Sequence, residues 1–229
     1  MVHNNYPPPH PSPTRGEGAR RASGTATKRI TLPPHARGLR IGLLGGSFNP
    51  PHDAHRAISL FAMKRLGLDR VWWLVSPGNP LKDTRALPAL ESRLADAKAV
   101  ANHPRIDVTD IEARIGTRYT VDTLRFLRNR CPGVHFVWLM GADILAEFHR
   151  WRDWQEIFAL VPIAVVDRGG TPLKARNSRA ALAFAKARVP ESQASRLPAL
   201  KPPAWTLLHG LKLAHSSTQL REIAARRGS

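Results

Sequence analysis

Residues 45–55 read Gly-Gly-Ser-Phe-Asn-Pro-Pro-His-Asp-Ala-His and follow directly on the apolar run Ile41–Leu44. A short buried strand that breaks at two glycines and re-emerges as a helix builds an anion site. Glycine lets backbone N–H groups approach a phosphate closely, and the helix start adds unpaired N–H groups and a positive dipole end. Gly45, Gly46, Ser47 and Phe48 are therefore candidate phosphate ligands. Pro50 and Pro51 suit the helix start, where a missing N–H costs nothing. His52 and His55 are spaced to share one helix face, so their imidazoles can serve the same anion. A metal is the competing use of such a pair, but no Cys and no cluster of carboxylates lies nearby to complete a ligand set. No protein-held metal is expected.

These residues need a scaffold, and strand and helix signals alternate from Arg40 onward. Strands are predicted at Ile41–Leu44, Val71–Val75, Ile106–Val108, Val134–Met140, Ile163–Val166 and Trp205–Leu208. Helices are predicted at Ala54–Leu66, closed by Gly67, then at Leu90–Ala101, Tyr119–Arg130, Trp154–Leu160, Ser178–Arg188 and Ser217–Arg226. Nearly continuous apolar strands separated by helices imply an α/β fold, a Rossmann-like doubly wound parallel sheet covered on both faces. Ligands then bind beyond the carboxyl ends of the strands, where the histidine segment sits. The dinucleotide fingerprint Gly-x-Gly-x-x-Gly and the Walker loop are both absent.

Composition narrows the class. The chain of 229 residues, 42% hydrophobic, suits a single domain, residues 39–229, behind a leader, residues 1–38, rich in Pro, Ser, Gly and Arg. The leader lacks the apolar core of a secretory signal and reads as a disordered, dispensable extension. A single cysteine, Cys131, excludes an intrachain disulfide and fits a reducing, cytoplasmic location. No apolar run is long enough to cross a membrane. The net charge of +18 attracts polyanions. It is spread along the chain, with no dense basic block interleaved with aromatics, so anionic small molecules are the expected partners and no specific nucleic acid is. A nucleic-acid-binding module driven by the leader is the remote alternative.

The segment from Gly45 to His55 resembles the first signature of the nucleotidyltransferase superfamily that carries a His-x-Gly-His motif, with Ala54 standing where the family usually has glycine. The run His215-Ser216-Ser217-Thr218-Gln219-Leu220-Arg221 resembles its second signature, Ile-Ser-Ser-Thr-x-Ile-Arg. In the family that segment grips the ATP phosphates through residues matching Ser216, Ser217 and Thr218, and an arginine matching Arg221 contacts the leaving pyrophosphate. Intermediate stretches resemble the bacterial nicotinate-nucleotide adenylyltransferases. Arg118-Tyr119-Thr120-Val121-Asp122-Thr123-Leu124 is similar to their Ser-Tyr-Thr-x-Asp-Thr-Leu segment, and Gly141-Ala142-Asp143 followed by Trp151 and Trp154 to their Gly-x-Asp…Trp pattern.

The resemblance implies adenylyl transfer from ATP to nicotinate mononucleotide. His52, His55 and Arg221 would be catalytic. Lys82, Gly141, Asp143 and Arg168 would join the glycine turn around ATP. Tyr119 and Thr120 would hold the pyridine carboxylate through their backbone, and the Trp151 ring would stack on the pyridine. Mg²⁺ is expected with ATP. A dual-specific enzyme that also takes nicotinamide mononucleotide, or another adenylyltransferase of the superfamily, is the alternative.

Overall fold

The computed structural model describes residues 30–78, 87–167, 169 and 172–210. The chain runs β1 (Arg40–Gly46), α1 (Asp53–Leu66), β2 (Arg70–Val75), α2 (Leu90–Ala101), β3 (Ile106–Thr109), α3 (Ile111–Arg114), α4 (Thr120–Arg130), β4 (His135–Gly141) and α5 (Ala142–Glu147). It continues through α6 (Trp154–Leu160), β5 (Ile163–Val166), α7 (Pro172–Arg176), α8 (Arg179–Ala183) and β6 (Trp205–Leu208). All six strands pair in parallel in the order β3-β2-β1-β4-β5-β6. The chain winds outward in both directions from β1, so a crevice opens beyond the carboxyl ends of β1 and β4, where the direction of winding reverses.

Alternation along the strands feeds two buried layers. Ile41, Leu43, Trp72, Phe136, Trp138, Ile163 and Trp205 pack with Val121, Leu124 and Leu127 of α4 and with Ile157 and Phe158 of α6. Leu44, Val71, Trp73, Val137, Leu139 and Ala164 pack with Ile58, Ala62 and Leu66 of α1 and with Ala97 and Ala101 of α2. Because both faces are covered, the strands read as continuous apolar runs. Gly67 closes α1 in the left-handed region (φ 64°), a conformation that glycine adopts without steric cost.

Two expectations need correction. Residues 30–38 of the supposed leader belong to the folded unit: Ile30 and Leu32 pack on the core, the N–H of Gly38 donates to the Gly133 carbonyl at 2.8 Å, and His35 meets Trp72 edge-on. The apolar residues in that polar stretch find surface to cover. The rest of the leader, residues 1–29, and the predicted helix Ser217–Arg226 lie outside the described residues. The helix predicted over Ser178–Arg188 stops at Ala183. Ser178 caps it by accepting from the Ala181 N–H at 3.2 Å, and a short 3₁₀ turn, Ala185–Ala187, follows. Phe184 breaks it, because its ring stacks on Phe158 (4.1 Å between centroids) and its carbonyl accepts from the Trp205 indole at 2.8 Å. Tertiary contacts override an alanine-rich helical pattern there.

Candidate active site

Beyond β1 the chain turns through Gly45, Gly46, Ser47 and Phe48 into the histidine pair. Gly45 leaves no room for a side chain: a Cβ there would lie 2.6 Å from Cη2 of Trp138, which is 1% exposed in the centre of β4. Neither the strand nor the buried ring can move away, so Gly45→Ala is expected to destabilise the fold by about 2 kcal/mol through overpacking. Denaturant unfolding of that variant reads the loss directly. Phe48 occupies the left-handed region (φ 46°) without being glycine. Its ring is held by stacking on Trp73, with centroids 5.0 Å apart, and such local strain persists where surrounding contacts over-determine it.

The histidines are placed differently from the expectation of two residues within one helical turn. His52 is the N-cap of α1, in extended conformation (φ −153°, ψ 165°), and His55 is the third helical residue. Pro50 and Pro51 therefore precede the cap rather than opening the helix. The rings still meet, with centroids 4.0 Å apart. The His52 backbone N–H donates to Nδ1 of His55 at 3.3 Å, which satisfies one of the N–H groups that a helix start leaves over. With Nδ1 as acceptor, the hydrogen-bond pattern assigns a neutral imidazole whose proton sits on Nε2. Phe48 and Trp73 frame the His55 ring at 4.7 and 5.9 Å. Ser59 ties this frame together: its hydroxyl donates to the His55 carbonyl and accepts from the Trp73 indole, both at 2.8 Å. Ala54, which replaces the family's glycine, is buried and sits in the first turn of a regular helix.

Beyond β4, Gly141 is buried at the N-cap of α5, and Asp143 is exposed in the first turn of that helix. Tyr119 is the N-cap of α4 and supplies no side-chain cap, and Thr120 opens the helix. Trp151 is half-buried, tilted against Phe148 at 5.0 Å and edge-on to Trp138 at 6.2 Å. Since Trp138 also abuts Gly45, one aromatic contact chain links the glycine turn to Trp151. The Arg152 guanidinium lies 4.5 Å over the Tyr119 ring. Arg125 bridges Asp122 of α4 and Glu156 of α6 at 2.8 and 2.5 Å, holding Tyr119 and Trp151 on neighbouring elements. Lys82, Arg168, Ser216, Ser217, Thr218 and Arg221 lie outside the described residues.

Two buried charged groups escaped the sequence reading. Arg93 is 2% exposed and Glu112 is 4% exposed. Nη1 of Arg93 donates to the Ser47 and Ser76 carbonyls at 2.8 and 2.7 Å, and Nε donates to the Pro88 carbonyl at 3.0 Å. Burial holds its pKa below the ordinary guanidinium value. Glu112 bonds the Thr123 hydroxyl at 3.3 Å and the Ser76 hydroxyl; burial first of all pushes its carboxyl up to about 7, against both of these hydrogen bonds. Ser76 itself donates its N–H to the Gly46 carbonyl at 2.9 Å, and Thr123 also reaches the Tyr119 carbonyl at 3.3 Å. A second chain of contacts therefore runs from Gly46 through Ser76, Glu112 and Thr123 to Tyr119. The one signal in the sequence was an arginine inside the apolar stripe Leu90, Leu94, Ala97.

A 3-2-1-4-5-6 parallel sheet with a glycine turn and paired histidines at its switch point defines a nucleotidyltransferase, and residues 43–223 match the family described as cytidylyltransferase-like. A Bradyrhizobium protein (strain ORS 278) named "Probable nicotinate-nucleotide adenylyltransferase" is 62% identical over 183 residues, which are 80% of this chain and 95% of that one. A Methylorubrum extorquens protein of the same name is 57% identical over 80% of this chain and 99% of its own length. The chain belongs to the nicotinate-nucleotide adenylyltransferase family. Its fold is also that of the Plasmodium falciparum nicotinic acid mononucleotide adenylyltransferase solved with NaAD, with a TM-score of 0.62 at 18% identity over 80% of this chain and 83% of that one. Among the described residues no helix is long and apolar enough to cross a membrane.

Proposed function

We propose that this chain, which transfers the adenylyl group of ATP to nicotinate mononucleotide in NAD biosynthesis, does so by positioning and charge stabilisation with no covalent enzyme intermediate. The phosphate of nicotinate mononucleotide is already largely ionised near neutral pH, so it needs no general base. Its oxygen attacks the α-phosphorus of ATP in line. The bond from that phosphorus to the β-phosphate bridging oxygen breaks, and nicotinate adenine dinucleotide and pyrophosphate leave. Two anions must be held together while charge spreads over the transferred group, which is the task of preorganised donors.

The observation that carries this reading is the histidine pair at the glycine turn. His55 is fixed by the His52 N–H as an Nε2–H donor, and both rings stand at the switch point beside the Gly45–Phe48 backbone. They would stabilise the α-phosphoryl oxygens and the leaving group. Arg221, with Ser216, Ser217 and Thr218, would hold the outer phosphates, Lys82 would reach a phosphate, and Arg168 would serve the adenine side of ATP. ATP enters as its Mg²⁺ complex. Among the described residues no group of three or more His, Cys, Asp or Glu forms a cage. The ion would be carried on phosphate oxygens and water, with Asp143 in the first turn of α5 a carboxylate beyond β4. The first-turn N–H groups of α4, Thr120 first among them, would receive the pyridine carboxylate, together with the Tyr119 N–H, which here donates to the Thr117 hydroxyl at 3.1 Å. The Trp151 indole would stack on the electron-poor pyridine.

Trp151→Ala is expected to raise KM for nicotinate mononucleotide about tenfold, as loss of an aromatic stack does, with KM for ATP nearly unchanged. Steady-state kinetics with each substrate varied checks it; equal changes in the two constants would remove the stacking role. The buried, free Cys131 supports a cytoplasmic location.

The reaction itself is tested by pyrophosphate release from ATP and Mg²⁺, with nicotinate mononucleotide, nicotinamide mononucleotide and phosphopantetheine offered side by side. A strong preference for the first is expected. Comparable rates with both pyridine nucleotides would make the enzyme dual-specific, and no release with the first would overturn the reading.

A further inference from the structure

The geometry points to Arg93 as the positioning residue of the phosphate site: a buried cation that aims the Phe48 N–H at the ATP phosphates and supplies fixed positive charge behind the turn. This rests on the adenylyl-transfer reading of the site.

Arg93 is an unusual residue to find 2% exposed in the apolar stripe of α2. Its three hydrogen bonds go to the neutral carbonyls of Ser47, Ser76 and Pro88. Among the described residues it forms no ion pair, and Glu91 attracts it only at longer range. A full charge buried against neutral acceptors is costly unless a counter-charge arrives. The nearest place for one is the glycine turn, whose Ser47 peptide Arg93 already holds. Nucleotide phosphates would supply the missing negative charge.

The same contact sets the direction of a donor. A peptide is planar, with its C=O and N–H on opposite sides. With the Ser47 carbonyl drawn 2.8 Å from the guanidinium, the N–H of the next residue, Phe48, points the other way, out of the α2 side of the turn. The Phe48 backbone is itself held in the left-handed region (φ 46°), with its ring stacked on Trp73. The Ser76 N–H holds the Gly46 carbonyl at 2.9 Å while Arg93 holds the Ser76 carbonyl at 2.7 Å. One guanidinium thus braces the loops that leave both β1 and β2.

Two measurements test this. In the wild-type chain the Phe48 amide proton is expected to move downfield in NMR spectra on titration with inorganic pyrophosphate. A Phe48 amide that does not move while pyrophosphate binds overturns the proposal, whatever any variant does. Arg93→Gln keeps a donor for the carbonyls but removes the charge. It is expected to weaken pyrophosphate binding in calorimetry, and to raise KM for ATP, by at least about tenfold, with KM for nicotinate mononucleotide changed less than about threefold. Arg93→Lys keeps the charge and is expected to retain pyrophosphate affinity within about threefold. A folded Arg93→Gln chain that binds pyrophosphate like wild type, or an Arg93→Lys chain as weak as it, would reduce Arg93 to a structural residue. Turnover of nicotinate mononucleotide by the wild-type enzyme is the separate control: its absence would overturn the functional reading, while the pyrophosphate titrations would still decide the role of Arg93.

Discussion

His55→Ala is expected to lower kcat about a hundredfold, roughly 2.7 kcal/mol of barrier, the loss typical of one preorganised donor to a developing oxyanion. The effect belongs to the transition state, so KM for either substrate should change little. The orientation of His55 is what makes the expectation specific. Its Nδ1 accepts from the His52 N–H at 3.3 Å, so Nε2 is the ring nitrogen that would donate to the phosphoryl oxygen. The variant also loses the partner of one helix-start N–H, worth about 1 kcal/mol, so the fold should survive. Single-turnover kinetics together with a thermal midpoint separates the two losses. Near-normal turnover in a folded variant would take the histidine out of the chemistry.

Glu112→Gln carries the second large effect, and it is read in stability against pH. Burial raises the native carboxyl from 4.5 to about 7. Below pH 4.5 the native and unfolded chains both hold the proton, and the stabilisation from neutral, hydrogen-bonded Glu112 is fully present. Between pH 4.5 and 7 the unfolded chain gives up its proton while the native chain keeps it, so wild-type stability falls. Above 7 the native group has ionised too and the loss is complete, at about 3 kcal/mol. Glutamine keeps hydrogen-bonding capacity toward Thr123 and Ser76 and does not titrate. Relative to wild type, the variant should therefore gain about 3 kcal/mol between pH 4.5 and 7.5. Urea unfolding of both proteins across that range measures it, and parallel curves would show that Glu112 does not titrate there.

Both residues show how far the sequence reached. The strands Ile163–Val166 and Trp205–Leu208 and the helices Leu90–Ala101 and Trp154–Leu160 were legible to the residue, because continuous apolar runs and helical periodicity are local signals. The glycine turn and the histidine spacing were legible for the same reason, and so was their place beyond the carboxyl end of β1. The partition of His52 and His55 between cap and helix was not, because a histidine has no strong capping preference and the prolines suggested an earlier start. Arg93 and Glu112 went unread, because in a chain of +18 one more charged residue on a helix carries little local mark of burial.

What the sequence determined by itself was the α/β alternation, the location of the glycine turn and the family chemistry its motifs resemble. These depend on residue types a few positions apart. Tertiary structure alone decided the burial of Arg93 and Glu112, the break of the last alanine-rich helix at Phe184, and the contact chains from Gly45 and Gly46 to Trp151 and Tyr119. Each of those depends on which distant carbonyl, hydroxyl or ring comes to lie beside the group once the sheet is wound, and no local pattern of residues encodes that.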